Sequence, residues 1–144
     1  MDSDLHGQDE TTLAQRRALL DAARDAARRS TAPPAERTGA LTVTRSGLRF
    51  PGTAVRLPTA AGLSICAEHV ALCAARAATD DPVILIALWV PSAAGDHPCG
   101  HCLQVWHELA RGAPLLFQRG DEEPRLVTLE TLLPDAFSRF ERGS

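Results

Sequence analysis

Two stretches, Ile65-Cys66-Ala67-Glu68 and Pro98-Cys99-Gly100-His101-Cys102, decide the fold of this 144-residue chain. Between them they carry three cysteines and one acidic side chain, which is the set of groups that a catalytic zinc centre needs. Such a centre binds zinc through three protein ligands and leaves a fourth position for water. We therefore predict one Zn²⁺ per subunit, bound by the three cysteines of these stretches: Cys66, Cys99 and Cys102.

Each stretch leads into a segment with helical periodicity. After Pro98, apolar residues recur at helical spacing, and they are Leu103, Val105, Trp106 and Leu109. After Cys66, the residues that can face inward are Val70, Ala71, Ala74 and Ala78. Free N–H groups and the positive end of the helix dipole stabilise thiolates at a helix N-terminus. We therefore expect two helix N-termini to face each other across the metal.

Glu68, two residues after Cys66, is the predicted catalytic proton carrier. Three thiolates acidify a zinc water less than three histidines would, so a nearby carboxylate base becomes more necessary. We expect Glu68 to take a proton from that water and to pass it to the substrate. The alternative is that Glu68 is only an acidic residue favoured at a helix N-terminus by the dipole.

The remaining cysteine and the histidines are less decisive. Cys73 lies seven residues beyond Cys66, about 10.5 Å along a helix and too far to bind the same metal, so we expect a small buried apolar residue. A structural Cys₂His₂ site using His107 is an alternative, but its spacing does not fit a common zinc finger. His97 and His101 flank the metal cysteines and either line the pocket mouth or lie on the surface.

Five strand-like runs are visible between the predicted helices, at residues 40–43, 48–55, 83–90, 114–118 and 125–127. Ser46-Gly47 joins the first two as a hairpin. The run Val83–Val90 is the most apolar, so we expect a central strand that is buried on both faces. The first helix is predicted to begin at Thr11 or Thr12 and to bury one apolar face: Leu13, Leu20, Ala23 and Ala27.

Composition indicates one domain that binds neither nucleic acid nor membranes. The chain has 15 basic and 18 acidic residues, a net charge of −3 and 44% hydrophobic residues. Its basic residues are scattered, so nothing neutralises a phosphate backbone, and no apolar run approaches the length of a bilayer span. Cysteines that act as thiolates favour a reducing compartment, and we expect a cytoplasmic protein. We predict that residues 1–10 form a flexible leader and that residues 11–144 form a single domain.

Three segments carry a resemblance to a known family, and they are Gly62-Leu63-Ser64-Ile65-Cys66-Ala67-Glu68, Pro98-Cys99-Gly100-His101-Cys102-Leu103-Gln104-Val105 and Leu132-Leu133-Pro134-Asp135-Ala136-Phe137. They resemble the landmarks of the small cytidine deaminases and blasticidin S deaminase, of the type with three cysteine ligands. The resemblance implies a zinc-dependent hydrolytic deaminase. Its implied fold is a three-layer α/β/α sandwich around a mixed five-stranded sheet. It also implies a homo-oligomer, a tetramer more than a dimer, whose active sites borrow residues from neighbouring subunits.

The sugar-binding positions depart from the family pattern. The family carries an Asn-x-Glu-Asn run that holds the ribose hydroxyls, and here the corresponding residues are Val55-Arg56-Leu57-Pro58. Val55 and Leu57 stand where the sugar-binding Asn and Glu would be, and neither can form a hydrogen bond with a diol. We therefore expect that the part of the substrate in the place of the ribose, which we call the handle, differs from ordinary ribose. Arg56 is one of the polar residues that we expect to contact it.

A second departure removes an aromatic residue. The family's Phe-x-Val-Gly-Ala, whose Phe packs on the pyrimidine, is replaced by Glu36-Arg37-Thr38-Gly39-Ala40. Glu36 is the other predicted polar contact. The alternative for both Glu36 and Arg56 is that each is only a solvated charged residue in a loop. Phe137 is implied to reach a neighbouring active site and stack on the base, or else to be a C-terminal hydrophobic plug.

Two further positions complete the predicted site. Ala67, between Cys66 and Glu68, is expected to contact the substrate. The family often has Arg directly after the catalytic Glu, where it tempers the charge of the thiolates, and here that position is His69. We expect His69 to donate a hydrogen bond to a sulfur, or to be an ordinary helix-face histidine.

Three functions are compatible with these sequence features. The leading one is a zinc-dependent hydrolytic deaminase of a free cytosine-type nucleoside, or a nucleoside analogue, with a non-standard sugar handle. The second is a deaminase of another amino-heterocycle in a biosynthetic pathway. The third is a zinc-bound protein that binds a ligand without turnover, which an intact Glu68 disfavours.

Overall fold

A computed structural model describes residues 6–94 and 98–137, except for the side chains of residues 6–12. Its helices and strands, in chain order, are α1 (His6–Ala27), β1 (Gly39–Thr44), β2 (Arg49–Thr53), α2 (Ala67–Ala78), β3 (Val83–Val90), α3 (Gly100–Leu109), β4 (Leu115–Arg119), β5 (Arg125–Val127) and α4 (Leu129–Leu132). Two short 3₁₀ turns precede β1 and α2, at Pro34–Glu36 and Ala61–Leu63.

The strands form one sheet in the order β2-β1-β3-β4-β5. All neighbours are antiparallel except β3 and β4, which run parallel because α3 crosses between them. The predicted hairpin between β1 and β2 turns at Gly47, whose φ of 91° lies in the region that favours glycine. The sheet is therefore mixed and five-stranded, as predicted.

Helices cover both faces of this sheet. On one face, Ile86 of β3 packs with Leu72 of α2 and Trp106 of α3. On the other face, the next residue of β3, Ala87, packs with Leu20 of α1. Successive residues of a strand point to opposite faces, so the middle of β3 is buried from both sides and the predicted three-layer α/β/α sandwich is confirmed.

The backbones of α1 and α2 lie very close to two glycines of the sheet. At Gly39 of β1, a Cβ atom would overlap the backbone of Ala23 and Ala27 in α1. At Gly52 of β2, it would overlap the backbone of Ala67 and Ala71 in α2. The first turn of α2, which carries the predicted site, is therefore seated directly on β2.

The first helix differs from its prediction in two respects. It begins at His6, before the Thr11 or Thr12 that the sequence favours. Leu13 is 49% exposed, whereas Leu20, Ala23 and Ala27 are buried as expected. Part of the predicted leader, residues 1–5, lies outside the described residues, and the flexibility of residues 1–10 stays a prediction.

The prediction for Cys73 was wrong, because this side chain is exposed. The buried residues of α2 are Ala67, Glu68, Ala71, Leu72 and Ala75. Leu72, the largest of the apolar ones, and Glu68 both turn inward. This rotation of the helix brings Cys73 to its outer side and leaves the expected inward residue Ala78 exposed.

No helix in the described part of the chain is both long enough and apolar enough to cross a membrane.

Candidate metal centre and active site

The three predicted zinc ligands meet at two helix N-termini. Cys66 is the N-cap residue of α2 and Cys99 is the N-cap residue of α3, while Cys102 lies in the first turn of α3. Their sulfur atoms all lie within 4.8 Å of one another, and the sulfurs of Cys99 and Cys102 are 3.4 Å apart. We refer to these three residues as the sulfur cluster.

Zinc fits this donor set, because three cysteine sulfurs can bind Zn²⁺ and leave a fourth tetrahedral position open. Among the described side chains, which are those of residues 13–94 and 98–137, no other group of three or more His, Cys, Asp or Glu is close enough to hold a metal ion. The described residues therefore do not form the alternative Cys₂His₂ site with His107. Cys73 also lies outside the cluster, as its distance along α2 predicts.

The cysteines of the cluster share protons. A hydrogen bond with Cys102 lowers the pKa of Cys66 to about 5, burial opposes this shift, and the nearby Arg56 guanidinium adds to it. The pKa of Cys102 is raised, first by its hydrogen bond to Cys66 and then by burial. The pair thus loses one proton easily and holds the other tightly. A bound metal ion displaces the remaining thiol protons, since thiolates are the form that binds it.

Glu68 lies beside the sulfur cluster and is only 6% exposed. Burial raises the pKa of this carboxyl group; its own backbone N–H counteracts the shift, and the charge of Cys66 adds to it. A carboxyl group with a raised pKa can hold a proton close to neutral pH and pass it on. Its chemistry therefore matches the predicted role of proton carrier.

Cys66 and Cys99 of the sulfur cluster, together with Glu68, line one cavity of about 510 Å³. Leu88 and Val90 of β3 provide an apolar part of its wall, and Ala93 and Ala94 follow them. The segment after β3 therefore reaches the metal site, while His97 lies outside the described residues. The cavity thus combines an apolar part of its wall with two of the metal ligands and the Glu68 carboxyl group.

Two of the predicted substrate contacts, Glu36 and Arg56, line this cavity. Within the described chain, its wall does not include Val55, Leu57, Ala67 or Phe137. Val55 instead forms reciprocal backbone hydrogen bonds with Ile65, each 2.9 Å long, and Leu57 is exposed. The roles of these residues toward a substrate stay predictions.

Phe137 lies on the outside of the single chain, with 62% of its surface exposed. Its carbonyl oxygen accepts a hydrogen bond of 2.7 Å from Nε2 of Gln104 in α3. This bond anchors the end of the described chain to the helix that carries Cys99 and Cys102.

His69 lies against another histidine. Its ring centroid is 5.2 Å from that of His101, and both line a groove between the outer sides of α2 and α3, together with Cys73. The cation that affects the pKa of Cys66 is Arg56. Sequence reasoning assigned Arg56 only to the substrate handle, because nothing in the local pattern indicates its proximity to a cysteine ten residues further on.

Comparison with known proteins places the chain in a family. The chain matches no family model and no curated protein. Among solved structures, the cytidine deaminase of Burkholderia pseudomallei is 35% identical with a TM-score of 0.75, and the match covers 84% of this chain and 98% of that one. The chain belongs to the cytidine deaminase family. The cytidine deaminase of Mycobacterium tuberculosis supports this, at 30% identity and a TM-score of 0.68 over 85% of this chain and 97% of that one.

Membership of the cytidine deaminase family confirms the predicted enzyme class, a zinc-dependent hydrolase that acts on C–N bonds of cyclic amidines. It also confirms Zn²⁺ as the cofactor, with the sulfur cluster as the group that can hold one metal ion. The cytidine deaminase of Bacillus anthracis, at 15% identity and a TM-score of 0.66, shares the fold.

Proposed function

We propose that this deaminase acts on a free cytosine-type nucleoside, or a nucleoside analogue, whose sugar handle differs from ordinary ribose. The observation that carries the proposal is the buried Glu68 carboxyl group in the same cavity wall as Cys66 and Cys99. Burial of a carboxyl group costs free energy, and for Glu68 this cost outweighs the effect of its hydrogen bonds, since the pKa is raised. A role in proton transfer at the zinc site explains why the Glu68 carboxyl group is buried beside the sulfur cluster.

In the proposed reaction, water adds to the ring carbon that carries the amino group, and the C–N bond then breaks to release ammonia. Bound Zn²⁺ supplies the Lewis acidity that makes water a nucleophile near neutral pH. Glu68 receives a proton of the water, transfers it to the adjacent ring nitrogen and assists protonation of the departing amino group. The wall formed by Leu88, Val90 and the alanines after β3 excludes bulk water from the ring.

The charged side chains at the cavity support a changed handle. Apart from Glu68, the charged residues in the described wall are Glu36 and Arg56. Val55 and Leu57, which stand where the family holds a ribose diol, have no polar side-chain atoms. We propose that Glu36 and Arg56 contact the handle instead, and that the substrate is a free small molecule, because the described residues of the wall include no run of basic side chains to follow a phosphate backbone.

We further propose a homo-oligomer, with a tetramer favoured over a dimer. Phe137 is exposed in the single chain and lies on the surface near α3. We propose that its exposed ring stacks on a base in the cavity of a neighbouring subunit. A cytoplasmic location stays a prediction, supported by four cysteines that are all free.

Ammonia release from a panel of substrates tests the proposal. The panel contains cytidine, deoxycytidine, cytosine and blasticidin-type nucleosides, and it extends to other amino-substituted pyrimidines and purines. We expect kcat/KM for a substrate with an altered handle to exceed that for cytidine on the order of 100-fold, since a site without matching polar groups rejects a diol. Robust turnover of plain cytidine would refute the changed handle, and turnover of a different heterocycle alone would support the second candidate activity.

The variant Glu68→Gln separates catalysis from ligand binding. We expect the variant to keep zinc and to lose about 10²- to 10⁴-fold in kcat, which is the range for loss of a general acid–base. If the parent releases no ammonia from any member of the panel, and the variant binds the same ligand equally well, the protein is a non-catalytic binding protein.

A further inference from the structure

Arg56 lies in a short segment that is fixed from two directions. Val55 N and O each form a 2.9 Å hydrogen bond with Ile65, the residue before the zinc ligand Cys66. The backbone N–H of Leu57 donates a 3.1 Å hydrogen bond to Oγ of Ser64. Because these bonds flank Arg56 on both sides, they hold its backbone alongside the approach to Cys66.

The loop after α1 holds the same segment from its other side. Oγ1 of Thr31 accepts a 2.7 Å hydrogen bond from the backbone N–H of Arg56 and donates one of 3.0 Å to its carbonyl oxygen. One residue earlier, the buried hydroxyl of Ser30 donates a 2.6 Å hydrogen bond to the carbonyl oxygen of Ala54. Both backbone polar groups of Arg56 are thus bound by the single side chain of Thr31, which leaves its own side chain to face the cavity.

The side chain of Arg56 lines the cavity together with Cys66, Cys99 and Glu68. The ion pairs between described residues that involve Arg24, Arg28 and Arg76 do not include Arg56, and no carboxylate of the described chain forms an ion pair with Arg56. Three thiolates and one Zn²⁺ carry a net charge of −1, and an ionised Glu68 makes the site more negative. A guanidinium group in the same wall offsets this charge while its other N–H groups remain available to a substrate.

We propose that Arg56 is the counter-cation of the zinc–thiolate centre and that Thr31 is the residue that positions it. Sequence reasoning expected a hydrogen bond from His69 to a sulfur, whereas the cation proposed here comes from a different loop. Arg56 acts on the metal through the cysteine ligand and is a positioning residue in this role, as Thr31 is. This role concerns the stability of the zinc-bound centre, which does not depend on the identity of the substrate.

Zinc affinity of the full chain, measured near neutral pH by competition with a chromogenic chelator, tests the proposal. We expect Arg56→Gln to weaken zinc binding about 10-fold or more, as is typical when a group that supports a metal ligand is lost. Arg56→Lys keeps the charge and is expected to recover most of the affinity. Arg49→Gln removes a cation from the exposed position in β2 and is expected to match the parent.

The Thr31 variants test the positioning step. Thr31→Val removes both hydrogen bonds to Arg56. Its zinc affinity is expected to lie between those of the parent and Arg56→Gln. Thr31→Ser keeps the hydroxyl and is expected to match the parent. Circular dichroism and the melting temperature identify any variant that fails to fold.

An affinity of Arg56→Gln equal to that of Arg49→Gln would overturn the counter-cation role. Equal losses in Arg56→Gln and Arg56→Lys would also overturn it, because shape and not charge would then matter. Thr31→Val binding as tightly as the parent would overturn the positioning role. These outcomes are distinct from failure of the proposed function, since zinc affinity is measured without substrate.

Discussion

The carbonyl oxygen of Ala67 lies so close to Gly52 that a Cβ atom at position 52 would overlap it. Ala67 is the first residue of α2 and stands between Cys66 and Glu68. The contact therefore fixes the helix N-terminus that carries one zinc ligand and the buried carboxyl group. A methyl group at Gly52 has no space unless α2 moves away from β2.

From this contact we predict that Gly52→Ala destabilises the protein by about 1–3 kcal/mol, the usual cost of overpacking, and weakens zinc binding. The melting temperature and the zinc content of the purified variant measure the two effects. Gly62→Ala is the matched control, because a Cβ atom there meets nothing within 4 Å. Equal melting temperatures for the two variants would contradict the close packing of α2 on β2.

Cys66 and Cys73 lie on one helix and are expected to respond oppositely to the same substitution. Cys66→Ser removes a ligand of the sulfur cluster and is expected to abolish stoichiometric zinc and activity. Cys73→Ser changes an exposed side chain and is expected to change neither. In the zinc-loaded parent, a thiol reagent is expected to modify Cys73 first, because the other three sulfurs are bound to metal. Loss of zinc from Cys73→Ser would show that the cluster is wrongly assigned.

The two tryptophans provide a paired test of the core. Nε1 of Trp106 donates a buried 2.9 Å hydrogen bond to the carbonyl oxygen of Ala113, and Trp106→Phe leaves that oxygen unpaired. We expect a loss of about 1–3 kcal/mol in the free energy of unfolding. Nε1 of Trp89 donates a similar bond to Gly120 at 3.0 Å in a partly buried place, so Trp89→Phe is expected to cost less. Urea titration measures both, and the reverse order would contradict the assigned burial.

Asp81 links the turn before β3 to the β1–β2 hairpin. Hydrogen bonds from the Ser46 hydroxyl, the Thr44 hydroxyl and the Ser46 backbone N–H lower the pKa of this carboxyl group. A carboxylate with a lowered pKa in the folded state stabilises the protein fully above its unfolded pKa of about 4. That contribution is lost as the pH falls through the lower, folded pKa.

We therefore predict that Asp81→Asn lowers the melting temperature at neutral pH and that the difference from the parent shrinks steadily in the acidic range below about pH 4. Melting curves over a pH series measure this. Asp80→Asn removes an exposed ion pair with Arg76 and is expected to have little effect at any pH, since such pairs contribute little. A difference for Asp81→Asn that is independent of pH would contradict the role of its charge.

Local patterns were sufficient to predict the elements that carry the metal. Pro98 ahead of Cys99, together with helical spacing after Cys102, indicates the helix N-terminus that α3 provides. The apolar run Val83–Val90 indicates the central strand, and its bounds are those of β3. In each case the deciding information lies within a few residues of the chain.

Long-range placement was not predictable in the same way. Arg56 reaches the sulfur cluster because Val55 pairs with Ile65, and this is a single isolated bridge without the alternation that marks a strand. The exposure of Cys73 depends on which side of α2 docks on the sheet. That helix is rich in alanine, so its periodicity distinguishes its faces only weakly, and the inward positions of Leu72 and Glu68 decide the matter.

X-ray absorption spectroscopy at the zinc edge, combined with metal analysis of the purified protein, tests most directly whether three sulfurs of this chain hold one ion with a position left open. We predict one zinc per chain with three sulfur neighbours at about 2.3 Å and one lighter neighbour. A protein without stoichiometric metal, or a zinc ion with four sulfur neighbours or with nitrogen in place of a sulfur, would contradict this account.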